Sequence, residues 1–148
     1  MIDSELKLEF TIRSCPVDDQ VKYALAYLEG ELIIKIDGQV FFHEPDILLV
    51  ELGLELNKWL VKVTTTGKVT SMEYFTMDYD EVAGAILTLE PVGSKRYLIH
   101  SIWQKFTCSK PLNEQELVMA ATAFIKELNV ELGRRDLMKL VNTLSQTA

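Results

Sequence analysis

Three carboxylates crowd into the sequence MDYDE (residues 77–81), where Asp78, Asp80 and Glu81 surround the aromatic Tyr79. Carboxylates this close together could perform acid–base chemistry, bind a metal ion, contact a cationic partner or form a solvated turn. A catalytic pair needs burial to separate its two pKa values, whereas this stretch lies in a solvated place between two predicted strands. The residues therefore favour a surface, either a polar turn or a docking patch. Tyr79 favours docking, because a phenol adds contact area to charge.

The possible metal ligands and nucleophiles are few and scattered. The chain has two histidines, His43 and His100, and two cysteines, Cys15 and Cys108, and none has the spacing of a zinc site. The acidic stretch lacks the central glycine of a calcium loop. Ser101 follows His100 directly, but neighbouring strand residues point to opposite faces and cannot pair. The sequence predicts free, buried thiols and no catalytic, metal or cofactor site, so the protein is expected not to be an enzyme. A cysteine–histidine pair formed by the fold stays open.

The negative charge is concentrated in one part of the chain. The net charge is −7; residues 1–60 carry 12 acidic and five basic side chains, whereas residues 61–148 carry ten of each. This imbalance disfavours direct nucleic-acid binding and favours a basic protein partner, with solubility as the simpler alternative. Because no run of 18 apolar residues and no signal-peptide pattern occurs, we expect no membrane span and a cytoplasmic location.

The first third of the chain predicts strands. Residues 6–14 alternate apolar and polar side chains, as do the residues on either side of Gly30 within 21–37. Gly30 is expected to form a bulge or bend. Asp37-Gly38 predicts a two-residue hairpin turn, and residues 39–43 are the returning strand.

A helix over residues 46–60 then follows, because leucines recur at helical spacing and Pro45 suits a first helical turn. Two buried strands broken at Gly53 are the alternative. Three short strands come next, over residues 69–77, 84–90 and 96–106.

Asn113 and Glu116 resemble a capping box, with Asn113 as the capping residue, at the start of a C-terminal helical region over residues 113–145, in which residues 137–144 form a second, shorter helix. The expected architecture is a single α+β domain over 1–148, with residues 1–112 mainly in strands apart from the one helix. We predict one antiparallel sheet of about six strands with helices packed on one face.

Two tryptophans have different expected roles. Trp59 lies on the apolar stripe of the predicted helix and is expected in the core. Trp103 is expected in the last strand, on the open side of the sheet if Ile102 faces the helices. Packing across strands and anchoring an interface are equally compatible with that position.

The chain resembles the small acidic immunity proteins encoded beside bacterial polymorphic toxins, especially those of wall-associated, contact-dependent systems. The likeness spans about residues 6 to 130, and none of its segments is a catalytic signature. Four segments carry it: AYLEGELIIKIDGQVFF (26–42), ILLVELGLELNKWL (47–60), FTMDYDE (75–81) and IHSIWQKF (99–106).

The resemblance implies a cognate toxin, usually a basic nuclease, that the protein binds in the cytoplasm. It assigns no contact residues, so the candidate toxin-binding set comes from local chemistry alone. That set is Glu73, Asp78, Tyr79, Asp80, Glu81 and Trp103. The alternatives are a small hydrolase or ligand-binding domain, and a subunit of a homo-oligomer. The expected oligomeric state is a monomer or a weak homodimer.

Overall fold

A computed structural model describes residues 5–14, 28–75 and 84–134 of the chain. Its elements in chain order are β1 (Leu6–Ser14), β2 (Glu29–Ile36), β3 (Gln39–Leu48), α1 (Leu49–Thr66), β4 (Met72–Tyr74), β5 (Leu87–Gly93), β6 (Arg96–His100), β7 (Leu112–Asn113) and α2 (Glu114–Arg134).

The α+β class is confirmed, but the prediction of a single sheet is wrong. The described strands form two antiparallel sheets, one of three strands in the order β1-β2-β3 and one of four in the order β4-β5-β6-β7. The sheets separate because α1 follows β3 and carries the chain about 27 Å before β4 begins. The edge of β3 is instead covered by the segment after β6, where the Lys105 N–H donates to the Phe41 carbonyl at 2.7 Å.

The first sheet follows its sequence pattern closely. Along β2, buried side chains alternate with half-buried ones, so Leu32, Ile34 and Ile36 face the core. Asp37 and Gly38 both have positive φ, at 52° and 81°, which confirms the predicted two-residue turn.

Gly30 lies where three elements approach one another. The pairing register shifts on both sides of β2 at this residue, which confirms the predicted irregularity. A Cβ at Gly30 would lie 2.4 Å from the Thr11 carbonyl oxygen and 2.6 Å from the Leu49 Cδ1 atom. Glycine is therefore required here by space, because β1 and the start of α1 close on the same point.

The predicted helix over 46–60 is displaced at both ends. Pro45 and Asp46 belong to β3, at a bulge opposite Gly30, and α1 begins only at Leu49. Because β3 pairs with β2 as far as Leu48, the sheet retains these residues, and the Leu49 N–H donates to the Leu28 carbonyl at 3.3 Å. At the other end the helix continues to Thr66.

The C-terminus of α1 is set by Gly67, after three threonines. The hydroxyl groups of Thr64, Thr65 and Thr66 donate to carbonyls four residues earlier in the helix. Gly67 then adopts the left-handed conformation at φ 69°, and its N–H donates to the Val63 carbonyl. Such a glycine commonly ends a helix.

The N-terminus of α2 is capped as predicted, but the expected capping box is not closed. The Asn113 Oδ1 atom accepts the Gln115 N–H at 2.8 Å. The Glu116 carboxylate instead accepts the N–H of Leu6 at 3.2 Å, and so ties α2 to β1. The second predicted helix, over 137–144, lies outside the described residues.

Both sheets and both helices contribute to one apolar core. They meet around a small cavity of about 20 Å³ lined by Ile34 of β2, Trp59 of α1, Leu89 of β5 and Leu117 of α2, among others. Strands 69–77 and 84–90 are replaced by the shorter β4 and the shifted β5, and β6 ends at His100 rather than at residue 106. Within the described ranges, neither helix is long and apolar enough to cross a membrane.

Candidate functional site

The candidate binding residues fall on two described positions and one segment outside them. Glu73 lies on β4 and Trp103 lies in the chain after β6. Asp78, Tyr79, Asp80 and Glu81 lie outside the described residues. The site is therefore built from the residues that border this acidic segment.

Trp103 is not in a strand, contrary to expectation. The chain turns tightly over Ser101–Gln104, because the Ser101 Oγ atom accepts the Trp103 N–H at 3.0 Å and the Gln104 Oε1 atom accepts the Ser101 N–H at 3.0 Å. This turn leaves Ile102 37% exposed and Trp103 39% exposed, side by side. We call these two exposed side chains the Ile102–Trp103 platform.

The platform is held from several directions. The Trp103 ring packs against Phe42 of β3 with 6.4 Å between centroids. The Ile102 N–H donates to the Ala85 carbonyl at 3.4 Å, and the Lys105 N–H donates to the Phe41 carbonyl. The turn is thus fixed between β3 and the start of β5.

Ile102 of the platform lies against Gly84, the first described residue after the acidic segment. Residues 76–83 connect Phe75 to Gly84, and a Cβ at Gly84 would lie 2.9 Å from the Ile102 Cγ2 atom. Gly84 also has a positive φ of 108°. The chain that carries the three carboxylates therefore re-enters the described fold in contact with Ile102.

Glu73 lies on the outer face of the second sheet. It pairs with Thr88 on β5, which pairs in turn with His100 on β6, so the three residues form one row. Adjacent strands are about 4.8 Å apart, which places Glu73 about 10 Å from His100. His100 Nε2 lies 3.0 Å from the Glu90 carboxylate, and the turn with Trp103 begins at the next residue. The outer face of the second sheet therefore carries two carboxylates, Glu73 and Glu90, and the turn with the Ile102–Trp103 platform follows its strand β6.

The other residues considered for chemistry have structural surroundings. Ser101 is buried, and its hydroxyl serves the turn. Cys108 is a free, buried cysteine, as predicted, whereas Cys15 lies outside the described residues. Burial raises the pKa of the Cys108 thiol, which disfavours the nucleophilic thiolate. His43 pairs with Glu31 at 2.8 Å on the first sheet. Among the residues that can be described, no group of three or more His, Cys, Asp or Glu side chains is arranged to hold a metal.

A buried polar cluster joins the two helices to the second sheet. The Tyr97 hydroxyl donates to Glu114 at 2.8 Å and accepts the Thr70 N–H at 3.1 Å, while the Trp59 Nε1–H donates to the Thr70 carbonyl at 2.7 Å. Burial and the Glu114 carboxylate raise the pKa of Tyr97 to about 12, against the lowering effect of the Thr70 N–H. Trp59 is 2% exposed, which confirms its predicted place in the core.

Ile102 is not among the site residues predicted from the sequence. The pattern SIWQKF was assigned to a strand, in which Ile102 and Trp103 would face opposite sides. The signal that could have identified the turn is the pair Ser101 and Gln104, whose side chains can bond backbone N–H groups nearby.

Comparison with known proteins supplies a family. No curated protein and no solved structure matches the chain. Residues 6–134, which span all the elements described above, match the family model described as a domain of unknown function, DUF7878. The chain therefore belongs to the DUF7878 family.

Proposed function

We propose that the protein is an immunity protein that binds and neutralises a cognate toxin domain in the cytoplasm, without catalysing a reaction. The observation that carries the proposal is the exposed Ile102–Trp103 platform, which lies against Gly84; the acidic segment precedes Gly84 by three residues in the sequence. Exposed aromatic side chains fixed by neighbours often anchor protein interfaces, and nearby carboxylates select a cationic partner. A basic nuclease has the surface that this combination fits, because nucleases bind phosphates with lysine and arginine.

The resemblance to immunity proteins and the net charge of −7 support the same function. The platform supplies apolar contact, whereas Glu73, Glu90 and the acidic segment supply charge. Charge complementarity mainly accelerates association, and a buried aromatic anchor mainly slows dissociation. The proposal thus assigns the two parts of the site different kinetic roles.

The first test is co-expression with the C-terminal domain of the protein encoded next to the gene, which the proposal expects to be the toxin. The expected result is a stable complex and restored growth of cells that produce the toxin. A toxin domain that remains lethal and unbound would contradict the proposed function.

The second test separates the acidic segment from overall charge. We expect the triple variant Asp78→Lys, Asp80→Lys, Glu81→Lys to associate about tenfold more slowly at low salt, measured by surface plasmon resonance. The matched control changes Glu44, Asp46 and Glu55 to Lys, which alters the net charge equally. Equal slowing by both triple variants would show that net charge, and not this segment, steers association.

A further inference from the structure

Among the described strands, β1 forms one edge of the first sheet, and this edge borders a long trough. Two adjoining parts of this trough, of about 620 and 470 Å³, lie between β1 and α2 and share Phe10, Ala123 and Glu127 as lining residues. The trough extends from Leu6 to Ile12, which is about 20 Å of strand. Its length therefore matches an extended peptide of about six residues.

The backbone of β1 offers unpaired groups to this trough. Among the described strands β1 pairs only with β2, so its other side is an edge. The Glu5 N–H and carbonyl bond to Asp37 on the β2 side, whereas the Leu6 N–H points away to Glu116. Because backbone groups alternate in direction along a strand, the N–H and carbonyl groups of Leu8, Phe10 and Ile12 also point away from β2. Such a row is the template that an added strand pairs with.

The opposite wall of the trough is the side of α2. It is low, because Ala120 and Ala123 carry single methyl groups, and Val130 is 48% exposed at its far end. Glu127 lies in the middle and forms no ion pair within residues 5–14, 28–75 and 84–134, although Lys7 and Lys126 also line the trough. A strand inserted here would bury small apolar side chains against α2 and place a cation opposite Glu127.

From these observations we infer that β1 and α2 bind an extended segment of a partner protein by strand addition. The segment carries apolar residues at alternate positions and a lysine or arginine that contacts Glu127. This surface differs from the Ile102–Trp103 platform, and its test needs no toxin.

A single strand suits the trough better than a second copy of the chain. Pairing β1 with β1 of another copy would bring that copy's α2 into the same space. Paired strands lie about 4.8 Å apart, whereas packed helices require roughly 8–10 Å between their axes. A single strand without an attached helix avoids this overlap.

The test uses a phage-displayed library of random 12-residue peptides, selected on the full chain. We expect enriched peptides with alternating apolar residues and a central basic residue. Ala123→Arg, which fills the trough, should weaken their binding at least about tenfold. Thr122→Arg, an exposed position about 100° around the same helix that lines the groove towards α1 and not the trough, is the matched control and should bind as the wild type does.

Amide hydrogen exchange by NMR supplies the second readout. Bound peptide should slow exchange at Leu8, Phe10 and Ile12 at least about tenfold and leave Lys7 and Thr11 unchanged. Three results would each overturn the inference. They are peptides that bind Ala123→Arg as tightly as the wild type, a selection that enriches no peptide over that variant, and protection from exchange that does not alternate along β1. So would slow exchange at Leu8, Phe10 and Ile12 in the free protein, because the trough would then be filled by the chain itself or by a second copy.

Discussion

At the scale of single residues, the residues that are most restricted by their neighbours have structural roles. Tyr97 and Gly30 each join several elements, whereas Ile102 and Trp103 are exposed and take no part in the core cluster. The sequence identified Gly30 as a bulge or bend, because the alternation of apolar and polar residues is interrupted there. It did not identify Tyr97, whose partners Thr70 and Glu114 lie 27 and 17 residues away.

Replacing Tyr97 by Phe should lower the free energy of unfolding at neutral pH by about 1–2 kcal/mol, because the Thr70 N–H and the Glu114 carboxylate lose a buried partner. The measurement is urea denaturation followed by circular dichroism. Lys95→Ala on the exposed turn before the same strand is the control and should change stability by less than about 0.5 kcal/mol. Equal stability of Tyr97→Phe and the wild type would show that the cluster contributes nothing net.

The same tyrosine should lower the free energy of unfolding as the pH becomes alkaline. Its folded-state pKa of about 12 exceeds the ordinary value of 10.0, so the folded state holds the proton more tightly. This contribution is complete below pH 10 and is lost as the pH rises through 12. Stability curves from pH 9 to 12 should therefore fall less steeply for Tyr97→Phe than for the wild type, and parallel curves would contradict the raised pKa.

Gly30→Ala should destabilise the fold by about 3 kcal/mol, because the added methyl group overlaps a backbone oxygen that cannot move without breaking strand pairing. The control is Gly93→Ala, where an added Cβ meets nothing within 4 Å. Thermal unfolding of both variants is the measurement. If the two lost similar stability, general glycine flexibility rather than close approach would explain the effect.

At the scale of elements, hairpins and long helices could be predicted, but their ends could not. The alternation over residues 6–14 and the Asp37-Gly38 turn are local signals, and both are confirmed. The start of α1 depends instead on how far β3 pairs with β2, which residues 45–48 do not encode alone. The platform was missed for a related reason, since β6 ends where the Ser101–Gln104 turn forms its own hydrogen bonds.

The turn itself yields a prediction about binding. Trp103→Ala should weaken the complex with the cognate toxin domain by about 2 kcal/mol or more, mainly through faster dissociation. The apolar control Val92→Ala, 44% exposed on the β5–β6 hairpin, should bind normally. Surface plasmon resonance measures both. Unchanged dissociation of Trp103→Ala would remove the platform from the proposed interface.

At the scale of the whole molecule, the sequence indicated the α+β class correctly and the number of sheets incorrectly. Each hairpin is encoded locally, but whether β4 joins β3 or pairs only with β5 depends on contacts across the core. The proposed partner depends on charge distribution and resemblance, because four of the six predicted site residues lie outside the described residues.

The shared core predicts one cooperative unfolding transition. Residues of both sheets and both helices surround the same cavity, so neither sheet keeps its apolar face covered alone. Circular dichroism and Trp59 fluorescence, recorded in a Trp103→Phe background, should give the same urea midpoint. Two separate midpoints would divide the chain into independently stable units.

The contact between Leu6 and Glu116 has a consequence for synthesis. The two residues are 110 positions apart, so a ribosome adding roughly 5–20 residues per second needs about 5–20 s to extend the chain from one to the other. During that interval the β1–β3 meander can emerge and pair, while the apolar side chains of β1 lack the helix that later covers them. A nascent chain at this stage exposes apolar surface. We expect chaperones that bind emerging polypeptides to bind it before translation ends.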